Sequence, residues 1–320
     1  MIPRRQYGWP RAAAALVAVI ACWAAISSAS GAVIHLAVRS QSEQQRIFLP
    51  ADFAVKVNGK AAPVLSAKNP RDSQMILLVL DLAGDMTDAQ AAKDALAAAI
   101  EKLPASTFVA LIRAQDGPTV LVDPTADRNA IIQAMQASAV TGKAGLLDSL
   151  PSMDALAESI AKVSNLRIAT LYVTDSDVRN YREDFANPVI NSSDPHDLSR
   201  RFPEALIEDK MDKMEKAVAA RETPLFIVHL RYRTSKLNAA YQSGLKRLAE
   251  TTAGWSAFCA SPAEIPAAIE QAFAAISSQY VLTVGLPGRP AAVQIHVETR
   301  AAIEPPVELV YPARLLIKQR

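Results

Sequence analysis

The feature that most constrains this chain is a set of short, uninterrupted apolar runs. Met75–Leu80 (MILLVL), Phe108–Ile112, Ile168–Val173 and Leu225–Leu230 hold almost no polar side chains. A strand with one wet face alternates apolar and polar residues. Runs without that alternation suit strands covered on both faces, as in a parallel sheet packed between helices. The segments between the runs supply those helices. One is expected to start at Thr87, with Gln90 closing a capping box, and to stop before Pro104; its Ala92, Leu96, Ile100 and Leu103 share a face. Further apolar stripes are Leu150, Met153, Leu156, Ile160 and Val163; Ile207, Met211, Met214 and Val218; Leu237, Tyr241, Leu245 and Leu248; and Ile265, Ile269, Phe273 and Ile276. Strand alternating with helix predicts an α/β fold built on an open, mostly parallel, doubly wound sheet.

Strand patterns flank this core at both ends of the chain. Residues 33–39 and 53–57 read as a hairpin, the second followed by a turn at Asn58-Gly59. Residues 279–285, 292–299 and 306–311 read as further strands. The expected division is a signal segment (1–30), an N-terminal β-segment (31–70), the α/β domain (71–278) and a C-terminal β-segment (279–320).

The first thirty residues carry Arg4, Arg5 and Arg11, then an apolar run of 15 (residues 12–26), then SSASGA. That is the layout of a secretory signal, with cleavage expected between Ser27 and Ala32. Val19-Ile20-Ala21-Cys22 also has the form of a lipobox, which would lipidate Cys22. Either way the mature chain is exported, to the periplasm or beyond. Membrane contact is then limited to an uncleaved signal or a lipid anchor. Loss of three arginines takes the formal charge from +2 to 2 − 3 = −1. No basic face follows from that balance, which excludes nucleic acid as a partner. Two cysteines and four histidines exclude a disulfide framework and a Cys-rich zinc site. Cys259 reads as a small buried hydrophobe at a strand end, and His35, His229 and His296 as structural residues in strands.

In an open parallel sheet, ligands bind beyond the carboxyl ends of the strands. Two acidic clusters fall there: Asp81-Leu82-Ala83-Gly84-Asp85 after the first run, and Asp175-Ser176-Asp177 after the third. Between them Thr141–Leu150 (TGKAGLLDSL) feeds a helix. The one long irregular stretch, 176–202, leaves the strand end at Asp175 and should border the same crevice. Its Arg179, Tyr181, Arg182 and Phe185 are residue types that interfaces favour.

These segments resemble the von Willebrand factor A domain, and more closely the bacterial exported proteins related to it. DFAVKVNGK, LLVLDLAGDM, KAGLLDSL, VTDSD and SSQYVLTVGLP are each similar to a family segment, in the family's order, over residues 33–312. The resemblance implies a Rossmann-like fold and a metal-ion-dependent adhesion site. In that site an Asp-x-Ser-x-Ser loop, a Thr and a second Asp surround a divalent cation, and a partner's carboxylate completes the shell. Asp81 matches the first Asp and Asp175 the second. Ala83 and Asp85 replace the two serines, and Ala144 replaces the Thr. Two arrangements are compatible with this set. Asp81, Asp85 and Asp175 gather around Mg²⁺ or Mn²⁺ with water filling the shell. Alternatively the crevice holds no ion tightly, and Asp81 and Asp85 accept backbone N–H groups near helix starts. Asp81 and Asp175 should in both cases lie side by side at one rim, facing solvent.

The implied function is an exported, non-catalytic module that binds another protein at this crevice, through Ser176, Asp177, Arg179, Tyr181, Arg182 and Phe185. A magnesium-dependent phosphatase is the enzymatic alternative, but it needs a second Asp two residues after the first, where Ala83 stands. There is no Walker loop, nucleophile elbow or H-E-x-x-H helix. An inert scaffold of an envelope complex would use the same fold.

Overall fold

The computed structural model describes residues 32–41, 47–179, 203–286, 288, 290–300 and 307–317. The signal segment with Cys22, and Tyr181, Arg182 and Phe185, lie outside the described residues. Among the described residues no helix is long and apolar enough to cross a membrane.

In chain order the strands are β1 (Val33–Ser40), β2 (Phe53–Val57), β3 (Lys60–Ala62), β4 (Val64–Lys68), β5 (Gln74–Asp81), β6 (Thr107–Arg113), β7 (Thr119–Thr125), β8 (Arg167–Thr174), β9 (Leu225–His229), β10 (Trp255–Phe258), β11 (Gln279–Gly285), β12 (Ala292–Thr299), β13 (Leu309–Val310) and β14 (Arg314–Leu316). The helices are α1 (Met86–Glu101), α2 (Arg128–Ala137), α3 (Leu146–Val163), α4 (Pro203–Val218), α5 (Lys236–Thr251) and α6 (Ile265–Ser277).

The central sheet has the order β10-β9-β8-β5-β6-β7. All its neighbours pair in parallel except β6 and β7, which are antiparallel. Every residue of β5 and β8 is buried, as continuous apolar runs require. Successive residues serve opposite cores. Ile76, Leu78 and Leu80 pack with α1, α2 and α6 on one face. Met75, Leu77 and Val79 pack with α3, α4 and α5 on the other. From β5 the chain runs to β6 on one side and returns to β8 on the other. The carboxyl ends of β5 and β8 therefore form the point where strand order reverses, the place in such sheets where a crevice opens.

The end segments build a second core. Sheets β13-β1-β11-β4 and β14-β12-β2-β3 enclose Leu36, Val38, Phe53, Val55, Leu282 and Val297. Phe48, Phe53 and Tyr280 pack ring to ring, with centroids 5.5–5.8 Å apart. The hairpin reading needs correction here. β1 pairs with β11 and β13, while β2 pairs with β12 and β3. The Asn58-Gly59 turn, at φ 50° and 77°, joins β2 to the short β3 instead. Strands from the far end of the chain override sequence proximity. Arg167 ties the two cores together: it donates to the carbonyls of Gln279 (3.1 Å), Pro70 (2.8 Å) and Asp72 (3.1 Å).

Two helix readings also shift. Asp85, not Thr87, caps α1: its carboxylate accepts the Thr87 N–H at 2.8 Å. Gln90 instead bonds Asp94. On α3 the buried positions include Ala157 and Glu158, while Val163 is 88 % exposed. The buried face of α3 is rotated away from the stripe that hydrophobicity alone suggests.

Candidate functional site

Asp81 ends β5 and Asp175 follows β8, and the pairing Asp81↔Thr174 places them side by side. They do not face solvent: Asp81 is fully buried and Asp175 is 6 % exposed. Each carboxylate is a hub for loop backbone. Asp81 accepts N–H bonds from Gly145 (2.7 Å) and Leu146 (3.3 Å) and an O–H bond from Thr174 (2.9 Å). Asp175 accepts the N–H groups of Ala83 (2.8 Å) and Gly84 (2.7 Å). The two acids thus hold both other loops against the end of β8, and the N-terminal turn of α3 sits over Asp81.

Burial dominates their protonation. It pushes the Asp81 carboxyl up to about 6, against the pull of the Gly145, Thr174 and Leu146 bonds, and the nearby Asp175 adds to the rise. Asp175 is also raised, again chiefly by burial. Asp85 moves the other way, held down by the Thr87 N–H bond and by Arg231.

Gly145 is dictated by space: a Cβ there would lie 1.9 Å from the Ala114 carbonyl oxygen. The loop after β6 joins the rim too. Gln115 donates to the Leu82 carbonyl (2.6 Å), and Asp116 accepts the Lys143 N–H (2.8 Å).

Of the residues offered to a partner, the structure buries two. Ser176 is fully buried, with its hydroxyl 2.7 Å from that of Thr174 and 3.0 Å from that of Tyr241. Asp177 is 7 % exposed and pairs with Arg233 at 3.0 Å. Both brace the rim from within. Arg179 is exposed.

Several contributors carry no motif. His229 is buried, and burial lowers its pKa to about 4, so the ring is neutral. It donates from Nε2 to the Ser176 carbonyl (2.7 Å), and Nδ1 accepts the Arg231 N–H (3.3 Å). After β9, Arg231 reaches Asp85 at 2.9 Å and Asp88 at 2.6 Å. The exposed Tyr232 follows, then Arg233. Only the position of these residues after a buried apolar run could have pointed to them.

The donor set does not fit a divalent ion. Ala83 and Ala144 bring no side-chain oxygen, and Ala144 is itself fully buried. Asp85 is turned into its own helix cap and against a guanidinium. Among the described residues no three Asp, Glu, His or Cys side chains are grouped to hold a metal.

Residues 76–167 match the family model of the von Willebrand factor type A domain. The chain carries a von Willebrand factor type A domain. The match ends at the first residue of β8, so Asp175 lies beyond it and takes its place through the β5–β8 pairing. Outside this domain lie the strands of the second core. Solved structures similar to the chain include von Willebrand factor type A from Catenulispora acidiphila, at 11% identity and TM-score 0.45, covering 92% of this chain and 76% of that one. The vWF domain of the type V pili tip protein Mfa5 from Porphyromonas gingivalis matches at 15% identity and TM-score 0.42, covering 64% and 95%. Proximal thread matrix protein 1 from the mussel byssus, with a zinc-occupied MIDAS motif, matches at 12% identity and TM-score 0.41, covering 67% and 48%. No curated protein is a significant match.

Proposed function

We propose that this chain is an exported, non-catalytic protein-binding module whose partner docks on the crevice at the carboxyl ends of β5 and β8, without a tightly bound metal. The observation that carries this reading is the pair of buried hubs. Asp81 and Asp175 together hold the loops 82–88 and 141–146 at one rim by accepting the N–H groups of Ala83, Gly84, Gly145 and Leu146. Buried acids committed to backbone donors are fixed in place and shape a surface. They are poorly placed to reach a substrate. The partner-facing residues in this reading are Asp85 and Arg179, with Tyr181, Arg182 and Phe185 of the stretch that follows. Residues 1–30 direct export, 71–278 form the binding unit, and 31–70 with 279–320 form the β-unit that carries it.

Crosslinking in cell envelopes followed by mass spectrometry tests this. A protein captured by the full chain and lost on deleting 180–201 supports the reading. Capture that survives that deletion together with Arg179→Ala refutes the crevice as the docking face, and turnover in a phosphatase screen refutes the non-catalytic assignment.

A further inference from the structure

Four carboxylates follow the ends of β5 and β8: Asp81 and Asp175 at the strand ends, and Asp85 and Asp88 at the start of α1. Asp81 and Asp175 are satisfied by N–H and O–H donors of the loops. Asp88 is different. It is 1 % exposed, and neither of its oxygens receives a hydrogen bond from the backbone. A buried carboxylate without such donors needs an opposing charge. That charge is Arg231, whose Nη2 lies 2.6 Å from Asp88 and 2.9 Å from Asp85. Asp85 stands where the family pattern has its second serine, so the same substitution that removes a metal ligand provides one arm of this pair.

We propose that Arg231 is the crevice's built-in cation, tying the loop after β5 to the end of β9 in place of an exchangeable divalent ion. The backbone around Arg231 is fixed to match. Its own N–H donates to His229, and the next residue's N–H donates to the Cys259 carbonyl at 2.6 Å. A guanidinium on a pinned backbone cannot be stripped by a chelator and does not exchange. The crevice is therefore ordered whatever the metal supply. This concerns the architecture of the crevice and stands whether or not a partner docks there.

The test uses the purified full chain and two probes, Mn²⁺ with its free-ion EPR signal, and thermal melting at matched ionic strength. The wild type is expected to leave the Mn²⁺ signal unchanged and to melt at the same temperature with EDTA or millimolar Mn²⁺. Arg231→Gln should melt several degrees lower, with Arg231→Lys in between. Asp88→Asn removes the buried charge that Arg231 answers, so Arg231→Gln combined with Asp88→Asn should melt above Arg231→Gln alone. Should Arg231→Gln fail to fold, recovery of folding in that double variant supports the proposal in the same way. The proposal is overturned if the wild type takes up Mn²⁺ with a rise in melting temperature, or if the double variant melts no higher than the single one.

Discussion

Replacing Asp81 with Asn makes a test of the buried hub that can be worked through in numbers. In the folded chain burial holds the Asp81 carboxyl at about 6, against 3.8 for the free group. A carboxylate raised on folding binds its proton more tightly in the native state. Its ionisation therefore costs stability above the folded pKa, and that cost is relieved as pH falls from 6 towards 4. Taking those two values, the linkage relation gives about 1.4 kcal/mol of added stability at pH 5 relative to pH 7.5, and about 2.4 kcal/mol at pH 4. Asp81→Asn keeps the shape and removes the titration. Groups remote from Asp81 are common to both proteins and cancel in the difference; Asp175, which repels the Asp81 charge, is less raised in Asp81→Asn and moves the difference in the same direction. The assay is urea unfolding of both chains, followed by far-UV circular dichroism, at pH 7.5 and pH 5. With a urea slope of about 3 kcal/mol/M, the midpoint of the wild type should gain about 0.5 M more than that of Asp81→Asn. Equal shifts in the two proteins, or a larger gain in Asp81→Asn, would show that Asp81 is not a strained buried carboxylate, and the hub argument would fail.

Three further expectations follow from the same geometry. Gly145→Ala places a Cβ 1.9 Å from a backbone oxygen that cannot swing aside, so its melting temperature should fall well below that of Gly117→Ala, where space is open but φ is +105°; equal melts would refute the close approach. Arg167→Ala leaves three carbonyls without their donor and should lower stability by about 3 kcal/mol, with faster proteolysis near residues 68–72 as the second readout. Cys259 is 2 % exposed with its thiol pushed up to about 11, mainly by burial; peptide mass spectrometry should find it unlabelled by iodoacetamide in buffer and labelled in urea.

The parallel sheet is legible in the sequence because its signal is local. A run such as MILLVL can be buried on both faces only in a few architectures, and the acids that follow such runs fall at strand ends by necessity. The strands at 279–285 and 292–299 are legible from the other local signal, alternation of buried and more exposed residues. Strand pairing is not, because neighbours in sequence need not pair. β1 and β2 are consecutive strands, yet they do not pair with each other: β1 pairs with β11 and β2 with β12, both more than 200 residues away, and the one local partner is the β3 that the Asn58-Gly59 turn supplies. For Asp85 the sequence allows two readings, and the structure has the second, a backbone N–H acceptor at a helix start; what misleads is Thr87 with Gln90, which imitates a capping box two residues too late. The rim residues Arg231, Arg233 and Gln115 have no motif, since a single arginine after a strand reads like any surface charge.

The sequence by itself determined the four buried strands of the sheet and the helices between most of them, that the sheet is doubly wound, and that Asp81 and Asp175 stand at strand ends, because periodicity is a property of a few consecutive residues; the edge strands at 119–125 and 255–258 and the helix at 128–137 are not read from it. Only the tertiary structure decided that these two acids are sealed from water and occupied by loop N–H groups, and that a guanidinium from a distant strand end meets Asp85 and Asp88. Electrostatic partners are chosen by distance in space, and in this fold the strand order brings together charges that lie some 145 positions apart along the chain.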